Sequence, residues 1–283
     1  MRVAIAALTA MVAFAANSVL ARLALGSGEI NAMSYTGWRL LAGAVVLAAL
    51  LGMPGQRGPR AAKGVGGSWW GAGCLLGYAL AFSIAYVMLG AASGAIILFA
   101  SVQIGMLAWA VLQGDRPGWL EWSGIGVAFA AFVGLVLPGA VAPPALGSGL
   151  MLLAGLCWAG YSLLGKGSQA PLQDTAGNFI RCLPAAVLLL ILGLPQAVTA
   201  TGVGYAVVSG GLASGLGYAV WYAVLPRLPG SSPASIQLSV PAIAAAGGVV
   251  FLGEHMSGRL LTCSAGIICG LALALYASNR RKA

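Results

Sequence analysis

Ten predominantly apolar stretches follow one another along this chain with short breaks between them, and each has the roughly twenty residues that a helix needs to cross a bilayer. They are expected near Val3 to Leu25, Asn31 to Leu51, Ser68 to Gly90, Gly94 to Leu112, Trp119 to Leu137, Gly147 to Gly165, Thr175 to Leu194, Gly204 to Leu225, Pro233 to Gly253 and Ser257 to Ala277. Hydrocarbon offers no hydrogen-bond partner, so each spanning segment must satisfy its own backbone, and helices packed on helices are the outcome. Hydrophobic residues make up 60% of the 283 positions and charged residues 7%, which excludes an ordinary soluble domain. Short connections make neighbouring helices antiparallel. Many glycines lie inside the apolar runs, as in Gly126/Ala130/Gly134 and Gly266/Gly270, a spacing that lets helix backbones approach closely. Cys74, Cys157, Cys182, Cys263 and Cys269 also fall in apolar stretches and are expected to be buried free thiols.

A net charge of +9 could suggest nucleic acid, so the placement of the 14 cations decides its meaning. With the amino terminus in the cytoplasm, ten of them lie on the inside: Arg2, Arg57, Arg60, Lys63, Arg116, Lys166, Arg227, Arg280, Arg281 and Lys282. The positive-inside rule therefore puts both termini in the cytoplasm, and the basic loops need no nucleic acid. They are topology determinants first, with contact to the lipid bilayer as their second role. The first segment has only Arg2 ahead of it and no cleavage region behind it, so it reads as a retained helix.

The chain is also written twice. Phe14-Ala-Ala-Asn-Ser-Val-Leu-Ala-Arg22 returns as Trp158-Ala-Gly-Tyr-Ser-Leu-Leu-Gly-Lys166, and Arg39 returns as Arg181. Ser101-Val102-Gln103 is echoed by Ser239-Val240-Pro241, and Leu112-Gln-Gly-Asp115 by Leu252-Gly-Glu254, at offsets drifting only from 144 to 138 residues. Five spans in each copy turn the second copy upside down, an arrangement found in transporters. The expected fold is an all-α polytopic membrane protein, with ten transmembrane helices in two inverted five-helix repeats, 1–140 and 141–283, joined through the proline-rich stretch Pro138 to Pro144.

Polar groups inside spans are costly unless they pair or face water, so they rank first as pathway candidates. Asn17 and Ser18 on the first span match Tyr161 and Ser162 on the sixth. The third span carries Tyr78, Phe82 and Tyr86 at i, i+4 and i+8, a stripe about 12 Å long. The eighth span answers with Tyr218, Trp221 and Tyr222. Facing stripes would wall an amphipathic cavity, and lipid-facing aromatics are the competing reading. Phe99 and Gln103 on the fourth span, Trp158 on the sixth, and Gln237 and Ser239 on the ninth complete the substrate-facing set, with Pro241 as a hinge. Arg39 and Arg181 are expected nearer the span ends than the midplane, where they either hold helix carbonyls or pair with an anionic group of the substrate.

The ordered set of ten spans, a small-residue motif ending in a cation on each first helix, the paired Arg39 and Arg181, Pro241, and the acid-bearing turns before each last helix resembles the drug/metabolite transporter superfamily, EamA type. The resemblance covers essentially the whole chain. It implies a carrier of small metabolites, in bacteria often an exporter of amino acids, in the inner membrane. A member that exports aromatic amino acids is similar in size and layout. Gln103 stands where many members have proline, so a bend there does not carry over.

No carboxylate lies at the centre of a span, which argues against proton-for-cation exchange of the small multidrug type and favours facilitated diffusion or exchange. No motif for a nucleotide, metal or catalytic triad is present, and the single histidine, His255, falls in an outer turn. The expected protein is a secondary transporter, not an enzyme, with no cofactor and no metal. Its partners are a small-molecule substrate and the bilayer. It acts as a monomer, with an oligomer left open. An amino acid, aromatic or neutral, is the leading cargo; a sugar, nucleoside or drug-like solute is the alternative, and a membrane-embedded enzyme or a non-transporting scaffold ranks behind both.

Overall fold

Caps and prolines mark where the apolar segments begin and end. The structure is a computed structural model that describes residues 2–53, 66–114, 116–136, 143–166, 168–224, 227, 236–237 and 239–282. Asp115, the cations Arg57, Arg60 and Lys63, most of the proline-rich connection, and the side chain of Tyr222 lie outside the described residues. Helix α1 (Arg2–Ala21) runs into a wider π turn, Arg22–Gly26. Asn31 caps α2 (Ala32–Gly52) by accepting the Ser34 N–H at 2.9 Å, and its amide donates to the Gly193 carbonyl at 3.1 Å. Ser68 caps α3 (Trp69–Met88) in the same way through Gly71, and α4 (Ala91–Leu112) follows after a two-residue break. In α5 (Trp119–Val136), Glu121 reaches back to the Gly118 N–H, the acid half of a capping box.

The second half begins with α6 (Ala145–Gly165). Helices α7 (Pro171–Arg181) and α8 (Leu183–Gly193) make one apolar path bent by 41°, where Pro184 has no N–H to return to the preceding turn. Helix α9 (Ala200–Val208) passes through a π segment, Ser209–Leu216, into α10 (Gly217–Val224), and α11 (Ser239–Leu252) and α12 (Gly258–Lys282) complete the chain. Seven of these paths are long and apolar enough to cross a membrane, the bent pair makes an eighth, and α5 and α11 are shorter apolar helices. Among the described residues the regular secondary structure is all helix apart from one isolated bridge, Ile30 to Val198, between two connections.

Helix α3 lies along α6, which also packs on α4; α2 packs on α8 and the π segment, and α1 on α11 and α10. Helix α5 packs almost wholly on α12 and reaches the remaining helices mainly through α4. A Cβ on Gly124 would stand 2.6 Å from the Gly270 carbonyl oxygen, and one on Gly270 would stand 2.6 Å from the Gly124 oxygen, so this pair crosses in backbone contact. The expected register on α5 is therefore corrected: Gly126 and Ala130 face outward, and Gly124 makes the crossing. The cysteines also depart from expectation. Cys182 is buried, Cys269 is exposed, and Cys74, Cys157 and Cys263 are half-buried; all five are free. An outward face in a bilayer is as apolar as a buried one, so hydrophobicity does not separate them.

Candidate substrate site

Helix α1 meets the π segment through polar groups. The Asn17 carboxamide oxygen accepts hydrogen bonds from the hydroxyls of Ser209 at 2.8 Å and Ser214 at 3.4 Å. The π segment can lie this close to α2 because Gly210 has no side chain: a Cβ there would stand 2.0 Å from the Arg39 carbonyl oxygen. Arg39 is 2% exposed, and its Nη2 donates to the Tyr78 hydroxyl at 2.9 Å and to Ser214 at 3.4 Å. Its guanidinium lies 5.1 Å from the Tyr78 ring centroid and 4.8 Å from that of Phe82. Among the described residues no carboxylate pairs with Arg39, and its Nη1 has no hydrogen-bond partner. A charge at helix centre costs about 3 kcal/mol on insertion scales. Hydrogen bonds from a charged donor, at about 1.5–3 kcal/mol each, and two ring faces are enough to hold it without an acid.

In front of Arg39 is a cavity lined by Phe14, Asn17, Ser18, Tyr78, Phe82, Leu98, Phe99, Trp158, Tyr218 and Gln237. The rings interlock. Tyr78 meets Trp158 at 4.8 Å between centroids, Trp158 meets Tyr218 at 5.2 Å, and Phe14 meets Tyr218 edge-on at 5.7 Å. The two aromatic stripes expected to face one another are thus joined by Trp158 of α6. The room left is about 20 Å³, enough for one water molecule. A benzene-sized ring needs roughly 150 Å³, so a substrate enters only if the rings part.

The two ends of the bundle differ. At one, the Glu254 carboxylate accepts the N–H groups of Ala91 at 2.7 Å and Ala92 at 3.4 Å, capping α4 from the α11–α12 connection. It also faces Arg22 at 3.7 Å, and Arg22 donates to the Tyr86 carbonyl at 3.3 Å. At the other end lies a vestibule of about 230 Å³, lined by residues that include Ser68, Tyr161, Ser168, Asp174, Thr175 and Asn178. Asp174 accepts the Gly67 N–H at 2.9 Å and the Ser168 hydroxyl, and Asn178 accepts the Ser68 N–H at 2.8 Å. Tyr161 walls this vestibule and stacks on Trp158 at 5.3 Å and 29°. The Trp158–Tyr161 pair separates vestibule from cavity.

Of the residues expected to face substrate, Asn17, Tyr78, Phe82, Phe99, Trp158 and Gln237 are brought to the cavity, and Tyr161 to the vestibule. The others are placed elsewhere. Tyr86 is buried at the Glu254 end with its hydroxyl toward the Ala91 carbonyl, and Trp221 stands behind Phe14. Ser162 and Ser239 turn their hydroxyls back on the carbonyls of Trp158 and Ile236, the usual way for a helical serine to satisfy itself. Gln103 is half-buried and off the cavity, as is Pro241, buried in the first turn of α11. Arg181 is not near a span end: it marks the bend between α7 and α8 and donates to the carbonyls of Gly66 and Gly177, 5.8 Å over the Trp69 ring. Ser18 of the first span's polar pair and Tyr218 of the eighth span's aromatic stripe line the cavity too, and Phe14 and Leu98 line it without having been named as substrate-facing. Phe14 was readable as the repeat partner of Trp158 and Ser18 as the neighbour of Asn17; Leu98 carried no signal.

A bundle of spanning helices around an occluded amphipathic cavity, with a vestibule at one end, defines a membrane transport protein. The EamA-like transporter family model matches residues 1–137 and again 145–276, and the chain belongs to that family. It is 47% identical over 267 residues to an uncharacterized Pseudomonas aeruginosa protein, PA1977, covering 94% of this chain and 92% of that one. The threonine/homoserine exporter RhtA of Salmonella typhimurium is 32% identical over 133 residues, covering 43% of this chain and 42% of RhtA. An uncharacterized transporter of Bacillus subtilis, YwfM, is 29% identical over 216 residues, covering 74% and 73% of the two chains. A solved structure described only as the crystal structure of a protein matches with a TM-score of 0.65 at 21% identity, covering 97% of this chain and 99% of that one, a likeness of fold alone.

Proposed function

We propose that the chain is a secondary carrier that exports an aromatic or other neutral amino acid across the bacterial inner membrane by alternating access around the central cavity. The observation that carries this reading is the cavity itself. Its rings suit an apolar side chain, and Asn17, Ser18, Tyr78 and Gln237 offer polar contacts to a head group. In this reading, the eight longer paths and the two shorter helices α5 and α11 make ten spans, in two inverted copies with both termini in the cytoplasm. The vestibule then opens to the cytoplasm, because Lys166 and the basic end of α12 lie on its side.

Substrate enters the vestibule, the Trp158–Tyr161 stack parts, and the Arg22–Glu254 end yields as the vestibule closes. The coupling is facilitated diffusion or exchange, and the transporting unit is a monomer. Purified protein in vesicles loaded with labelled phenylalanine tests it: saturable efflux that accelerates when unlabelled phenylalanine is added outside is expected. Flux that never saturates would indicate a channel. Accumulation strictly dependent on a proton gradient would overturn the uncoupled mechanism.

A further inference from the structure

We propose that the cavity reads the carboxylate of its substrate, held by the Tyr78 hydroxyl and the Asn17 amide with Arg39 fixing both as donors from behind. This rests on the transport reading above and adds to it a recognised group and an order of preference. The argument is one of hydrogen-bond direction. A guanidinium has donors only, so in the Arg39–Tyr78 bond the phenol oxygen accepts. The phenol hydrogen is left to point elsewhere, and Tyr78 lines the cavity.

The same logic runs along the second branch. Ser214 accepts from Arg39, so its own hydrogen goes to the Asn17 oxygen, which Ser209 also approaches at 2.8 Å. With its oxygen committed, Asn17 presents its NH2 group as the free edge on a cavity that it lines. Arg39 Nη1 adds a third donor without a partner, one hydrogen bond behind the lining. Arg39, Asn17 and Tyr78 are 2%, 4% and 5% exposed, so bulk water does not saturate these donors. Converging donors backed by an uncompensated cation select an anionic acceptor, and beside rings of this size the fitting one is the planar carboxylate of an amphipathic molecule.

The ammonium end is treated differently. No described lining residue carries a negative charge, so an ammonium meets ring faces and neutral acceptors such as Ser18 and Gln237. The site should therefore tolerate loss of the amino group better than loss of the carboxylate.

The test is same-side competition: vesicles are loaded with labelled phenylalanine together with unlabelled phenylalanine, 3-phenylpropionate, phenylalaninamide or phenethylamine, and the slowing of labelled efflux is read. Phenylalanine and 3-phenylpropionate are expected to compete, with the amide and the amine roughly 10- to 100-fold weaker, the loss expected for hydrogen bonds to a charged group. Tyr78→Phe and Arg39→Gln should each bring the acid-to-amide preference toward unity, a readout that a merely structural role would not move. Asn17→Asp should turn that preference toward the amide and amine. The wild-type order and Asn17→Asp each decide the matter if Arg39→Gln does not fold.

Equal competition by amide and acid, or variants that weaken all four probes alike, would overturn this inference and leave the transport reading intact. If none of the four competes while another solute moves saturably, the amino-acid reading falls and takes the carboxylate with it.

Discussion

The end of the bundle closed by Glu254 and the end opened by the vestibule are built from the same kinds of residue, yet they hold together differently. At the Glu254 end one carboxylate serves three groups: the first two N–H groups of α4 and the Arg22 guanidinium. At the vestibule end the acid is Asp174, and its partners belong to the segment leading into α3 and to its own connection. The first joins four elements into one knot, whereas the second stitches a rim around an opening. Under the proposed alternating access one end must loosen as the other tightens, and the side chains that close the Glu254 end would then set the balance between states.

The largest expected effect follows from breaking the knot. Glu254→Ala removes a helix-capping acid and a partly exposed ion pair, together about 2 kcal/mol, and so shifts the equilibrium toward opening at that end by about 30-fold. A cysteine placed at Ser18, in a background without the native cysteines, should then react faster with a membrane-impermeant maleimide from the outer side by a similar factor. An unchanged rate would mean that Glu254 only caps α4.

Next in size is the vestibule rim. Asp174→Asn keeps the shape but removes the charge that accepts from Gly67 and Ser168, and should lower stability by about 1 kcal/mol, read as a lower melting temperature in detergent. Labelling at the Glu254 end should not change. If it rises as in Glu254→Ala, the two ends are one structural unit and their contrast is lost.

How much of this was legible beforehand follows from what hydrophobicity can and cannot encode. Apolar length located the helices, with the third starting at Ser68 as expected, and a cap accounts for the early start of α9, where the Thr199 hydroxyl accepts a free N–H ahead of the expected Gly204. The bend at Cys182 had a signal in Pro184 that apolar length does not weigh, whereas the π segment at Ser209 had none in the apolar pattern, and Gly210 there lies against the Arg39 carbonyl of α2. The paired arginines show the limit most clearly. They occupy echoing positions, but Arg181 reaches carbonyls of the α2–α3 connection and of its own helix, while Arg39 meets hydroxyls and ring faces with one nitrogen unpartnered. A repeat preserves a residue type, and the neighbours decide its use. The serines show the same: Ser209 and Ser214 bond Asn17, while Ser162, at the place matching Ser18, turns back on the Trp158 carbonyl of its own helix.

The smallest expected effects come from the cations that close each copy of the small-residue motif, and these sharpen the contrast between the ends most finely. Arg22 is partly exposed, lies 3.7 Å from Glu254 and donates to the Tyr86 carbonyl. Arg22→Ala should therefore lose about 1 kcal/mol of closure, or about fivefold in the same maleimide labelling, and molar salt should reproduce part of that loss. Lys166 is exposed, and its side chain makes no bond among the described residues. Lys166→Ala should stay within about 0.5 kcal/mol of the parent, the range of an ordinary surface change. Parity between the two variants would mean that closure is governed by net charge at the membrane surfaces. A fivefold difference would place it in the Arg22–Glu254 contact, because both variants remove one cation and only one of them removes a partnered side chain.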